Sequence, residues 1–420
     1  MANQNRNRLA IHIEEILDKA ISPLTTKCCI YRVPHEIRKL NIDAYTPKVV
    51  SIGPYHHDNP KLKNMEGHKL KYCKEFRERV QTSLDNLVTL VQELETEVRL
   101  YYSDNIELSS EELVKLILVD SCFIFELFFT SKSTDDDGIP FKGWLKSSVA
   151  FDLLLLENQL PFDVLDKLYN LASPSPNFPS FFDLTYYYFR KCDSPYGDSP
   201  PSIKHFTDML RIFYLPPPPY RLPPREDELL AHLYSATELN EAGIKFRKGG
   251  SHLLDLSFSH SYLEIPNLNV GDDTEIFFRN MIALEQFHYL NESYITDYVR
   301  FLDYLINTSN DVDILIRKGI ITCMLGDNNA VAELFNGLGK SIARRKFNSD
   351  YFGIAKELKA YYEHPWNNAK ATLRRDYCRT PWKMAASLAA IGLLILTVTQ
   401  TVCSVLQVQM SLGPSVKTHP

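Results

Sequence analysis

The sequence predicts a mainly α-helical protein with a minor antiparallel β element, an α+β body followed by one C-terminal transmembrane helix. Apolar residues recur at helical spacing through most of the chain, while short alternating runs are few. From Met384 to Val416 there is no charged residue at all.

Composition limits the function classes. The 420 residues are 45% hydrophobic and 23% charged, which is a folded composition and not a disordered one. Lys and Arg number 46 against 52 Asp and Glu, a net charge of −6. Such a chain lacks the concentrated positive field of a non-specific nucleic-acid binder, so no nucleic-acid partner is expected. A mean hydropathy of −0.21 excludes a polytopic membrane protein. The eight cysteines contain no Cys-x-x-Cys, and the adjacent pair Cys28-Cys29 is too close for ordinary disulfide geometry. Free thiols in a reducing compartment follow.

The elements are read in chain order. Residues 1–27 form an N-terminal segment, with Leu9–Ile21 amphipathic and carrying Glu14, Glu15, Asp18 and Lys19. It holds no uncharged apolar stretch of the kind a secretory signal needs. Cys29–Val33 and Lys48–Ile52 are β-branched runs ending near Pro34 and Pro54, which predicts short strands. Met65–Tyr102 repeats apolar residues at helical spacing and predicts a long helix or a helical hairpin. Leu113–Phe129 is apolar nearly all round but carries Lys115, Asp120 and Glu126, which predicts a buried core helix. Phe151–Leu156 and Pro161–Leu171 read as two helical pieces joined by a corner at Glu157–Leu160.

Residues 174–224 hold 12 of the 24 prolines, including Pro216–Pro219. This predicts a Pro-rich surface insertion or linker around short aromatic helices such as Phe181–Phe189. Glu228–Ala242 reads as a helix. Ile244–Phe246, Leu253–Phe258 and Tyr262–Ile265 read as a small antiparallel meander around Gly249-Gly250. Helical periodicity dominates from Thr274 to Arg375, with breaks near 307–311, 326–328 and 337–339. The expected organisation is a first half at 28–173, the Pro-rich insertion at 174–227, a second half at 228–381, a transmembrane helix at 382–408 and a tail at 409–420.

The C-terminal stretch is the strongest physical signal. Met384–Leu406 would span about 34 Å as a helix, against a hydrocarbon core of about 30 Å. Trp382 suits an interfacial anchor, and Met384, Leu393, Leu396 and Leu406 supply apolar contact with the lipid bilayer through 384–406. Lys370, Arg374, Arg375, Arg379 and Lys383 precede the span, and Lys417 and His419 follow it. The positive-inside bias then keeps residues 1–383 in the cytosol, at the plasma membrane or an endomembrane. Asn291 and Asn307 stand in glycosylation sequons that would be inert there.

No Gly-x-Ser-x-Gly, Walker A, Rossmann, kinase or His-Glu-x-x-His motif is present. His56-His57-Asp58 reads as a turn, since adjacent side chains diverge. Asp120 and Glu126 are expected to pair with core Arg or to cap backbone. Glu275 and Arg279 are expected to form an i,i+4 pair. No catalytic, metal or cofactor residues are assigned.

Several blocks together carry a resemblance. They include IYRVPHEIRKLNIDAYTPKVVSIGPYHH (30–57), VDSCFIFELF (119–128), LLLLENQLPF (153–162), ATELNEAGIKF (236–246), DTEIFFRNMIALEQ (273–286) and GIITCMLGDNNAVAELFNGL (319–338). The basic and apolar end ATLRRDYCRTPWKMAASLAAIGLLILTVTQTVCSVL (371–406) completes the set. In this order the chain resembles the plant domain-of-unknown-function-247 family, also called uncharacterised protein family 0481. Cys378 stands where an aromatic residue is usual. The resemblance implies a C-terminal membrane helix and transfers no catalytic residue. The association of some grass members with pollen self-incompatibility implies recognition or signalling. The expected function is therefore a membrane-anchored interaction or signalling module with an unidentified protein partner. The alternatives are an enzyme with a polar site at Glu157, Asn158, Glu285 and Gln286, or a membrane scaffold.

Overall fold

The computed structural model describes residues 26–80, 82–132, 144–173, 179–197, 199–216, 223–226, 228, 232–340, 342–343, 346–377 and 381–411, with 11, 13 and 14. Most of the expected 1–27 segment, Pro217–Pro219, Cys378 and most of the 409–420 tail lie outside them. Among the described residues the fold is α+β and predominantly helical.

A short helix α1 (His35–Arg38) precedes two successive helices, α2 (Glu66–Arg79) and α3 (Leu84–Leu100). The break between them is fixed by Ser83, whose side chain accepts the Asn86 N–H as an N-cap. Helix α4 (Ser110–Lys132) is the buried helix expected. Its two buried acidic residues rivet it to α2: Lys69 Nζ lies 2.7 Å from Asp120, and Arg79 forks onto Glu126 at 2.6 and 3.0 Å. Tyr72–Phe123 and Phe76–Phe125 ring contacts at 5.3 Å fill the same seam.

Helix α5 (Trp144–Asp152) ends earlier than the pattern suggested, and 153–160 is a buried corner before α6 (Phe162–Ala172). The four leucines 153–156 do not continue the helix because side chains take its carbonyls. Gln159 Nε2 donates to the Leu153 and Leu155 oxygens, and Asn158 Nδ2 to that of Asp152. The expected strand at 48–52 is likewise not one. Its N–H groups find carboxylate and amide side chains rather than a neighbouring strand. At 29–33 only an Ile30–Tyr102 bridge remains of the other expected strand.

The described part of 174–224 corrects the reading as surface linker. Helices α7 (Phe181–Arg190) and α8 (Phe206–Tyr214) bury Phe181, Phe206 and Met209 completely. Phe181 packs 4.9 Å from Phe162 and 5.3 Å from Phe125. The prolines of this stretch fall before, between and after the two helices and never within them, so proline density marked the connections and hid the core helix α8.

Helix α9 (Ala236–Ala242) starts later than Glu228, at a Ser235–Glu238 capping box, and ends on Gly243 at φ +110°. Strands β1 (Lys245–Lys248), β2 (Ser257–Ser259) and β3 (Tyr262–Ile265) form a sheet in the order β1-β3-β2. Only β2–β3 is an antiparallel hairpin, turned at His260 and Ser261 with φ +50° and +67°. Strand β1 runs parallel to β3, which corrects the purely antiparallel meander. The 249–256 connection carries the chain past β3's position, so β3 enters between its neighbours. A parallel pair β4 (Leu268–Val270) and β5 (Ile321–Cys323) was not anticipated. Three-residue strands some fifty residues apart carry no local signal.

The remaining helices are α10 (Thr274–Phe287), α11 (Tyr294–Leu305), α12 (Ser309–Arg317), α13 (Asn328–Gly339), α14 (Ser349–Glu363), α15 (Pro365–Tyr377) and α16 (Pro381–Ser411). One hydrophobic cluster contains residues from Cys29 through to Ala371.

Gly53 has φ +72°, and a Cβ there would run into the Gln159 carbonyl oxygen. Gly53→Ala is expected to destabilise the full chain by roughly 3 kcal/mol, from left-handed strain plus overlap. Gly67→Ala, in the open first turn of α2, should stabilise by about 0.5–1 kcal/mol. Urea unfolding of the detergent-solubilised protein, followed by circular dichroism, measures both.

Candidate functional site

Two features compete for the role of functional site: the long apolar helix α16 and the buried polar residues of the body.

In α16 the segment Ala385–Val408 is long and apolar enough to cross a membrane, and none of it is buried in the protein. Leu393 and Leu396 are each 66% exposed, Trp382 and Leu406 are exposed, and Met384 lies in the same helix. A soluble protein would bury such a face. The hydroxyls that soften it are satisfied within the helix. Thr397, Thr399, Thr401 and Ser404 each donate to the carbonyl four residues back, at 2.6–2.8 Å. Alpha-helical backbone pairing and these bonds leave little polarity to desolvate in lipid.

The polar residues Glu157, Asn158, Glu285 and Gln286 do not converge on one cavity. Glu157 accepts the Val33 N–H at 2.8 Å, pairs with Arg38, and has His56 Nε2 at 3.2 Å. Burial opposes its charge, but His56 and Arg38 outweigh burial and hold its carboxyl below the ordinary range. Asn158 is bonded on both ends: Oδ1 accepts from Ile52 N–H at 2.7 Å, and Nδ2 donates to the Val50 and Asp152 carbonyls.

Glu285, on α10, belongs to a different junction. Its Oε1 accepts from Arg211 Nε of α8 at 3.0 Å, and Oε2 accepts from both Thr296 N–H and its hydroxyl at 2.7 Å. It thereby satisfies the first turn of α11, with a further bond from Ile295 N–H. Burial raises its carboxyl above the ordinary range, against the pull of Arg211. Gln286 Oε1 accepts the Ala343 N–H at 2.9 Å. The His56–Asp58 segment is a turn, and Glu275–Arg279 is the i,i+4 pair expected, at 2.7 Å.

Other residues of this kind escaped the sequence reading. Asp152 takes the N–H groups of Lys48, Val49 and Val50 at 2.7–2.9 Å, and burial pushes its carboxyl up to about 6. Asn280 of α10 joins the corner to the Ala44 carbonyl, accepting from Leu156 N–H and donating at 2.7 Å. Asp297 of α11 pairs with Arg225 and accepts Asn348 N–H, and burial pushes it up to about 6. His205 accepts the Asp208 N–H on Nδ1, so Nε2 carries the proton toward the Cys29 carbonyl 3.0 Å away. Burial holds this imidazole neutral, down to about 3, and raises the neighbouring Cys29 thiol to about 12, which makes it a poor nucleophile. A charged residue at a core position of an otherwise amphipathic run, as Arg211 in FTDMLRIFY and Asp297 in YITDYVRFLDYL, was the available signal.

Clefts among the described residues include three of moderate size. One of about 470 Å³ lies beside Arg190, Tyr214 and Asn267, one of about 280 Å³ beside His252, Asp350 and Tyr351, and one of about 180 Å³ beside Asp43, Asp152 and Asp273. None of these three is lined by Glu157, Asn158, Glu285 or Gln286. Among the described residues no cluster of His, Cys, Asp and Glu has the arrangement of a metal site.

The comparisons bear on the whole chain. A family model described as a plant protein of unknown function, DUF247, matches residues 30–396. The chain is 30% identical to UPF0481 protein At3g47200 of Arabidopsis thaliana, over 90% of this chain and 86% of that protein. It is 23% identical to the Putative UPF0481 protein At3g02645 of the same plant, over 93% of each. No solved structure matches.

Arg211→Met should cost about 3–5 kcal/mol of stability, because Glu285 is left buried without its countercharge. Arg211→Met with Glu285→Leu should recover part of that loss. Additive losses in the double-mutant cycle, read by thermal denaturation, would show that the two side chains are not coupled.

Proposed function

We propose, for a chain that belongs to the DUF247 family of plant proteins of unknown function, the role of a membrane-anchored interaction module. Helix α16 spans the bilayer through 384–406, and the folded body stands in the cytosol, where it recognises a protein partner. The observation that carries this reading is the Ala385–Val408 stretch, apolar over 24 residues and wholly unburied beside a body with its own core. The cluster of basic residues before it supports the cytosolic side. The polar residues of the family blocks support a recognition role over an enzymatic one, because Glu157, Asn158 and Glu285 have their polar atoms engaged in holding backbone and helices together. The halves 28–173 and 228–381 then act as one recognition body joined through 174–227.

Removal of residues 382–420 should move the protein from carbonate-washed membranes to the soluble fraction of plant cells. A truncated chain that stays in the washed membranes would refute the anchor. The orientation has its own test. Asn291 and Asn307 should carry no glycan, and the body should be digested when protease is added to sealed vesicles with their cytosolic face outward. A glycosidase-sensitive mobility abolished by Asn291→Gln and Asn307→Gln would place the body on the other side. Affinity capture of the anchored full chain from solubilised plant membranes should recover a partner protein.

A further inference from the structure

Helix α15 has a bare apolar face that the body does not use. Trp366 is 81% exposed and Leu373 is 52% exposed. Seven residues apart, they lie on the same side of the helix, within about 20° of each other. Ala371, about 160° round from Leu373, is the buried contact of this helix with the body. The apolar pair therefore points away from the protein.

The helix is also held in that orientation. Arg374 Nη1 donates to the Asn240 and Glu241 carbonyls at 3.2 and 3.4 Å, at the C-terminal end of α9. Asn367 Nδ2 donates to the Tyr361 carbonyl of α14 at 2.9 Å. These bonds tie α15 to the body along a flank about 100° round from the apolar pair, beside the Ala371 contact, so the pair cannot turn inward without breaking them.

What covers the face follows from chain length and charge. Tyr377 is eight residues from Ala385, where the apolar stretch begins. Eight residues reach about 27 Å at most and about 12 Å if helical. A body anchored by α16 thus keeps the end of α15 beside the headgroup layer. From His364 to Arg375 there is no carboxylate, and Lys370, Arg374, Arg375, Arg379 and Lys383 are opposed only by Asp376. An exposed Trp and Leu on a cationic helix at that height match a helix lying in the interface.

We propose that α15 docks on the membrane surface, with Trp366 and Leu373 entering the boundary of headgroups and acyl chains and acidic phospholipid headgroups as its ligands. This rests on the spanning role given to α16. Through the Arg374 bonds, docking sets the angle at which the body stands on the membrane.

The test uses the full chain with Trp144→Phe and Trp382→Phe, which leaves Trp366 as the single tryptophan. It is reconstituted into phosphatidylcholine vesicles with or without phosphatidylserine. In the acidic vesicles, brominated acyl chains should quench Trp366 emission by about half, and acrylamide should quench it less than in detergent. Leu373→Asp should restore acrylamide access while the chain still floats with the vesicles. A chain that fails to float overturns the spanning role itself. A chain that floats with Trp366 unquenched by brominated lipid overturns the docking alone. Equal quenching in neutral and acidic vesicles overturns the acidic-headgroup assignment. Trp366 shielded by added plant cytosol but not by lipid would give the face to a protein partner and also overturn the inference.

Discussion

The architecture depends on one constraint: an extended segment, 48–53, runs through the interior with no strand beside it. Buried N–H groups must still be bonded. Here side chains of the 152–159 corner and of α4 do it. Asp152 takes Lys48, Val49 and Val50, Asn158 takes Ile52, and Asp120 takes Gly53, while Glu157 takes Val33 on the neighbouring run. Each such buried group left unsatisfied would cost about 1–3 kcal/mol, so together they are of the same order as the 5–15 kcal/mol by which a domain is usually stable. The polar corner is therefore a structural requirement of the fold before it is anything else.

The same logic extends outward through charged side chains that join helices rather than face solvent. Asp120 and Glu126 fasten α4 to α2, Glu285 gathers α8, α10 and the start of α11, and Asp297 holds Arg225 and Asn348. Apolar packing alone tolerates sliding of one helix on another. A buried ion pair does not, because displacement strands a charge in the core at a cost of several kcal/mol. Positions that look like an active site in sequence thus specify helix register in the structure.

The chain follows two opposite burial rules. In the body, the buried carboxylates Asp120, Asp152, Glu157, Glu285 and Asp297 are each bonded to partners, and most apolar side chains are enclosed. In α16 the rule reverses, with an apolar exterior and hydroxyls folded back onto their own carbonyls. Helix α15 sits between the regimes, fastened to the body on one side and presenting Trp366 and Leu373 on the other.

The sequence by itself determined what depends on local pattern and composition. The helical character of α2 and α3, the buried α4, the run of helices after Thr274 and the apolar α16 all follow from periodicity and from charge or its absence, which act within a few turns of chain. The family was legible for the same reason, since its blocks are contiguous. Tertiary structure alone decided the rest. Residues 48–52 read as a strand, yet their partners are Asp152 and Asn158, about a hundred residues away. Proline density masked α8, whose Arg211 finds Glu285 only after folding. The order of β1, β2 and β3 depended on where a connection passed, and the β4–β5 pair on two segments too short to signal alone. The separation of Glu157 and Asn158 from Glu285 and Gln286 was likewise invisible, because a one-dimensional pattern records which residues are polar but not which buried N–H or cation each must satisfy.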